Sequence, residues 1–285
     1  MALTQRLVSL AVLLLFSACL ATGDTVVFWG RNKYEGSLRE ACDNSHYTTV
    51  VISFLSAFGH GTYKLDISGH PVSAVGEDIK YCQSKGKSVL LAIGGQGGEY
   101  SLPSSKAATE LHDYLWNTYL RGNGANRPFG DAVVDGIDFF IDQGATEHYD
   151  EVARLLYEHN KPNVCRATVC VMLTATARCG FPDQRLEAAL DTGLFNRIHV
   201  KLFGDGRCPK AQRRATFERW AAAYPGRVLV GVVASQDADA EAYIAPESLY
   251  NELLQYFNKL PNFGGVMIWN RYYDKLTNYS ARAHL

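Results

Sequence analysis

The chain has 285 residues, 28 of them Lys or Arg and 29 Asp or Glu, for a formal net charge of −1. Apolar residues at 47% and charged residues at 20% exclude a disordered or collagen-like chain. The near-neutral balance gives no electrostatic footprint for nucleic acid or an anionic membrane.

Residues 1–23 carry one charge, Arg6, then the apolar run Leu7 to Phe16 and the small residues Ser17, Ala18, Ala21 and Gly23. This is the pattern of a secretory leader, cleaved after Ala21 or Gly23, and its apolar run is too short to cross a bilayer. Loss of Arg6 leaves 27 basic and 29 acidic residues, a mature charge of −2. From residue 24 to 285, short apolar runs alternate with amphipathic stretches. Strands are expected at Thr25–Trp29, Thr49–Phe54, Ser88–Ile93, Ala132–Ile141, Val169–Ala175, Arg197–Phe203, Arg227–Ala234 and Gly265–Trp269. Helices are expected at Ser37–Cys42, Val75–Ser84, Ser105–Tyr119, Glu147–Glu158, Gln184–Leu190, Lys210–Ala223 and Pro246–Asn258. Near-continuous hydrophobic strands fit a parallel sheet covered on both faces. Eight of them in one unit predict a single (β/α)8 TIM barrel rather than an open sheet. No GxGxxG or Walker loop follows any strand, and no cofactor is expected.

Seven cysteines become six once Cys19 leaves with the leader: Cys42, Cys82, Cys165, Cys170, Cys179 and Cys208. An even number in an oxidising compartment reads as disulfides, and spacing alone leaves every pairing open. With no CxxC pair and only scattered histidines, no metal site is expected. Asn278-Tyr279-Ser280 is a sequon, so Asn278 is a candidate for glycosylation.

In (β/α)8 barrels the chemistry sits at the C-terminal ends of the strands. The fourth strand reads Asp135-Gly136-Ile137-Asp138-Phe139-Phe140-Ile141-Asp142. It resembles the DGxDxDxE signature of glycoside hydrolase family 18, whose alternate acids all point into the barrel. Phe28-Trp29-Gly30-Arg31-Asn32, Ile93-Gly94-Gly95 and Met267-Ile268-Trp269 extend the resemblance to plant class III chitinases. The resemblance implies substrate-assisted cleavage of N-acetylglucosamine polymers. There the last acid protonates the leaving oxygen, the middle acid orients the substrate acetamide, and a Tyr ending strand six supports it.

Each of those places departs here. Asp138 is kept, but the middle acid is Phe140, which can neither hydrogen-bond an acetamide nor stabilise positive charge. The terminal acid is Asp142, one methylene shorter than Glu and so about a bond length (~1.5 Å) short. A misplacement of that size costs ~10²-fold in rate. The supporting Tyr is Phe203. The site is read as degenerate and the protein as no enzyme. Arg31 and Lys33, after the shared Trp-Gly, would crowd and charge a sugar subsite. Trp269 matches the Trp that floors the chitinase cleft.

The same departures carry a closer resemblance, to the cereal xylanase-inhibitor proteins, catalytically silent family 18 barrels. It rests on Phe28 to Lys33, Glu35 to Cys42, Ser101-Leu102-Pro103-Ser104, Arg127 to Asp131, Leu173-Thr174-Ala175-Thr176 and Arg271 to Lys275. The resemblance implies a secreted, apoplastic plant defence protein, a monomer that blocks the clefts of microbial endo-xylanases of families 10 and 11. It also implies disulfides Cys42–Cys82 and Cys179–Cys208, which leaves Cys165 and Cys170 to pair with each other. For family 11 enzymes it implies a basic residue in the loop after the fourth helix, where Lys161 and Arg166 are the candidates. For family 10 enzymes it implies a Lys on the seventh helix, where this chain has Glu247, the opposite sign. The same residues also allow a silent chitinase-like storage or defence protein, or a glycan-binding lectin using Trp269.

Overall fold

The computed structural model describes residues 23–165 and 170–285. Among these residues eight parallel strands close a barrel. They are β1 Asp24–Trp29, β2 Thr49–Phe58, β3 Ser88–Gly94, β4 Gly136–Phe140, β5 Met172–Arg178, β6 Arg197–Lys201, β7 Arg227–Val233 and β8 Phe263–Trp269. Closure is direct: β1 pairs in parallel with both β2 and β8. Between the strands run α1 Leu38–Asp43, α2 Val72–Ser84, α3 Ser105–Thr118, α4 Tyr149–Glu158, α5 Glu187–Leu190 and α6 Arg213–Ala223. A seventh helical stretch, α7, runs in three pieces, Pro246–Ser248, the π-helical Leu249–Leu254 and Gln255–Phe257. The single (β/α)8 barrel read from the sequence is therefore the fold.

Local chemistry sets the helix starts. Ser37 Oγ accepts the Glu40 N–H at the head of α1, and Ser104 Oγ accepts the Ala107 N–H at the head of α3. Strand alternation sorts side chains into two cores. Val27, Val50 and Ile268 face outward to the helices, while Val26, Phe28, Leu90, Leu229 and Met267 fill the barrel interior. Near the N-terminal end of the barrel Arg197 donates to Asp24 at 2.9 Å and to Thr49 at 2.8 Å. None of the described helices is long and apolar enough to cross a membrane.

Several strand boundaries differ from expectation. β4 begins at Gly136, four residues late; Asp135 before it still pairs its backbone with Val89 and Met172, and its carboxylate also accepts the Val89 N–H and the Gln83 amide. β5 begins at Met172. Asn160 takes the N–H groups of Cys170 and Val171 and donates to the Val171 carbonyl, so a side chain stands where a neighbouring strand would pair. β2 continues to Phe58, past the expected Phe54, by pairing with the short strands Lys64–Leu65 and Glu99–Tyr100. Two further helices close the chain, α8 Arg271–Thr277 and α9 Tyr279–Arg282.

Cys42–Cys82 ties α1 to α2, Cys179–Cys208 ties the end of β5 to the loop before α6, and Cys165–Cys170 closes the loop between α4 and β5. Apart from Gly23, the expected leader lies outside the described residues.

Candidate functional site, a filled barrel mouth

The strand register assembles the site. Asp138 on β4 stands opposite Thr174 on β5, and Thr176 stands opposite His199 on β6. Asp138 is fully buried and accepts from Thr174 Oγ1 at 2.5 Å and Thr176 Oγ1 at 2.9 Å. His199 Nδ1 lies 3.4 Å from the same carboxylate and 3.0 Å from Thr176 Oγ1. Burial pushes the His199 pKa down, and Asp138 opposes that shift.

One layer nearer the mouth the chemistry becomes aromatic. Phe140 is 1% exposed and packs edge-on against Phe28 at 5.5 Å and Phe54 at 5.0 Å, with Trp269 at 5.6 Å. Phe203 stands 6.3 Å from Trp269. These rings pack on one another across the barrel mouth, and none of the phenyl groups can hydrogen-bond a sugar. Gly94 and Gly95 end β3 at positive φ, and a Cβ there would overlap the Phe140 carbonyl and the Phe54 ring respectively. Arg31 closes the rim, with its guanidinium 5.3 Å from the Phe54 ring centroid and 3.6 Å from the Asp66 carboxylate. Lys33 turns away, exposed, with its ammonium over Tyr34 at 4.9 Å. The expectation that it too would crowd a sugar subsite is corrected: only Arg31 lies over the Phe54 ring.

Sequence reasoning missed the residue that engages the remaining acid. Lys201, 1% exposed at the end of β6, places Nζ 2.5 Å from Asp142 Oδ1 and 4.2 Å from the Phe140 ring centroid. Gln96 donates to the other Asp142 oxygen at 3.2 Å, and Arg178 Nε stands 3.9 Å away. With one oxygen on Lys201 and the other on Gln96, the Asp142 carboxylate is engaged inside the barrel rather than presented to a leaving group as a general acid must be. Burial lowers the Lys201 pKa while Asp142 raises it. The signal was present in the expected strand Arg197–Phe203, where period two puts His199, Lys201 and Phe203 on one face.

A second missed residue is Glu35. Its fully buried carboxylate accepts the N–H groups of Gly30, Arg31 and Asn32 through Oε1, and His70 Nε2 stands 3.2 Å away. Three backbone donors on one oxygen fix the loop that carries Arg31. Two depressions flank the filled centre. One, of about 470 Å³, is bounded by Phe203, and the other, of about 240 Å³, by Arg31 and Phe54; neither is lined by Asp138, Phe140 or Asp142.

The proposed inhibitor contacts lie on other elements. Lys161 follows α4, half exposed, and pairs with Glu158 at 2.5 Å. Val164 beside it is 57% exposed. Arg166 lies outside the described residues. Glu247 is exposed on α7 and pairs with Arg282 at 3.0 Å, and its own backbone N–H and Arg282 hold its carboxyl below the usual range. Asn278 is exposed between α8 and α9 in the left-handed region (φ 54°), while the Ser280 hydroxyl of its sequon is buried against Asp274. No group of three or more metal-ligating side chains exists among the described residues.

The family described as Glycosyl hydrolases family 18 matches residues 24–202, the whole run from β1 through β6. This chain belongs to that family. Within family 18 it is 69% identical to a rice (Oryza sativa subsp. japonica) xylanase inhibitor protein, XIP, over 96% of this chain and 97% of that one. A second rice protein, Xylanase inhibitor protein 2, is 58% identical over 89% and 88%. Among solved structures, a xylanase-α-amylase inhibitor protein in complex with trehalose superposes with a TM-score of 0.87. It is 37% identical and covers 93% of this chain and 98% of that one. The family 18 barrel here thus combines a family fold with a mouth filled by its own side chains.

Proposed function

We propose that the protein is a secreted plant defence protein that inhibits microbial endo-1,4-β-xylanases, family 11 in preference to family 10, as a monomer without chitinase activity. The observation that carries the reading is the mouth itself. Phe140 fills the acetamide position and Lys201 holds Asp142, so what remains of the barrel's function lies on its outer loops. The 69% identity to a rice protein named a xylanase inhibitor supports xylanases as the partner. Three disulfides among the described residues fit an oxidising, extracellular location. Inhibition assays of the mature protein against one family 11 and one family 10 xylanase test it. The expected result is inhibition of the family 11 enzyme and weaker or no inhibition of the family 10 enzyme. No inhibition of either would leave a silent chitinase-like barrel.

Two variants extend the test. Restoring Phe140→Asp, Asp142→Glu and Phe203→Tyr together is expected to yield no chitin-oligomer hydrolysis, because Lys201 still neutralises the acid and Arg31 still caps the cleft. Turnover comparable to an active family 18 chitinase would show that the three side chains alone silence the site. Glu247→Lys removes the repelling charge from α7 and breaks only an exposed pair with Arg282, so folding should hardly change. It is expected to improve or create inhibition of the family 10 enzyme and to leave family 11 inhibition unaltered. Unchanged family 10 inhibition would place that contact elsewhere.

A further inference from the structure

His112 on α3 and His159, the residue after α4, meet at 3.0 Å, Nε2 to Nε2. Their ring planes lie within 7° and their centroids are 5.3 Å apart, so the rings sit edge to edge with the two nitrogens aimed at each other. That contact holds one proton: one Nε2 donates, and the other ring must be neutral there to accept. His112 Nδ1 lies 2.9 Å from Asp113 Oδ1, which favours a proton on that nitrogen. Trp116, one turn along α3, lies flat on His159 with centroids 3.5 Å apart. The charged groups facing the pair are Asp113 on α3 and Glu158 on α4, the latter already engaged by Lys161. Burial lowers the His159 pKa, His112 lowers it further and Glu158 opposes both.

The pair sits at the root of the α4–β5 loop. The next residue, Asn160, binds the backbone of Cys170 and Val171 across the Cys165–Cys170 bridge, and Lys161 follows it. We propose that the His112–His159 pair is an acid-sensitive latch that fixes the first residues of the α4–β5 loop, His159 to Lys161, against α3 while a single proton is shared. A second proton sets N–H against N–H, the contact opens, and α3 releases that segment. The latch stands on its own geometry; its role as regulator of inhibition rests on the reading of that loop as the xylanase contact. The sign follows from linkage. A ring whose pKa is lowered in the closed loop favours closure above its ordinary value of about 6.5, and that preference is lost as pH falls. Between pH ~6.5 and the lowered value, opening should grow about tenfold per pH unit.

The test follows the ring protons of His112 and His159 by NMR in the mature protein. Hydrogen exchange at the Cys170 and Val171 amides, corrected for intrinsic rates, is measured alongside from pH 7.5 to 4.5. Expected are a depressed second ring protonation and a loss of amide protection on the order of tenfold or more that follows it. In His112→Gln and His159→Gln protection should no longer vary with pH. Protection that stays constant while both rings charge would overturn the latch, and so would a second protonation that never occurs in this range. Inhibition constants over the same pH range separate the two readings. If protection falls but xylanase inhibition does not weaken, or is absent throughout, the latch stands and the loop is not the inhibitory contact.

Discussion

Lys201→Met is expected to destabilise the protein by about 3–5 kcal/mol, the usual cost of stranding one member of a buried ion pair. Both partners are enclosed, Lys201 at 1% and Asp142 at 8% side-chain exposure, so solvent screening does little to soften the loss. Arg178 at 3.9 Å is too distant to replace an ammonium at 2.5 Å. Adding Asp142→Leu should recover most of the loss, because apolar groups of similar volume commonly replace a buried pair without net cost. Asp142→Leu alone leaves an ammonium whose pKa burial already lowers. Between that lowered value and about 10.4, where a free Lys titrates, the unfolded chain binds the extra proton, so stability rises with pH. The single variant should therefore be less impaired at pH 9 than at pH 7. Urea unfolding midpoints at the two pH values, with unchanged m, measure all three. Wild-type stability in Lys201→Met would mean that Asp142 does not depend on Lys201.

The filled mouth was half legible before the fold was known. Phe140 and Phe203 could be recognised as replacements because a strand's period places them, and their rings do meet Trp269 in the barrel centre. Lys201 was passed over because Lys201-Leu202-Phe203 read as the tail of a hydrophobic strand, and only the barrel's curvature brings β6 across to Asp142. The C-terminal helices escaped for a related reason. Hydrophobic periodicity cannot see α8, whose buried residues are Arg271 and Asp274. Asp274 accepts from the Tyr47 hydroxyl and from the Ser280 backbone and side chain, and Arg271 reaches Tyr47 and Glu40. That helix is held by a polar network joining residues more than 220 positions apart, which no local pattern announces. Strand ends failed where side chains took over backbone pairing, as Asn160 does before β5. The TIM-barrel architecture itself was legible because eight apolar runs need only be counted, whereas boundaries and polar cores depend on partners distant in sequence.

In the α4–β5 loop, one of two basic side chains should carry family 11 inhibition. If Lys161 or Arg166 enters the xylanase cleft between its carboxylates, truncating it removes a desolvated, hydrogen-bonded charge. Such truncations cost about 2–5 kcal/mol, so one of the two single Ala variants should weaken inhibition by at least roughly 30-fold. The other should behave as a rim charge and change little beyond the salt dependence. Lys161 is half exposed and already paired with Glu158, a contact of the kind that is worth little in water. Moving its ammonium from Glu158 to a partner's paired carboxylates thus gives up little. The Cys165–Cys170 bridge and the Asn160 hydrogen bonds have already ordered the backbone beside it, which lowers the entropy cost of docking. Inhibition constants for wild type, Lys161→Ala and Arg166→Ala against one family 11 xylanase at two salt concentrations decide it. If wild type inhibits and both variants match it at low and high salt, no cation from this loop fills the cleft and the contact lies on another face of the barrel.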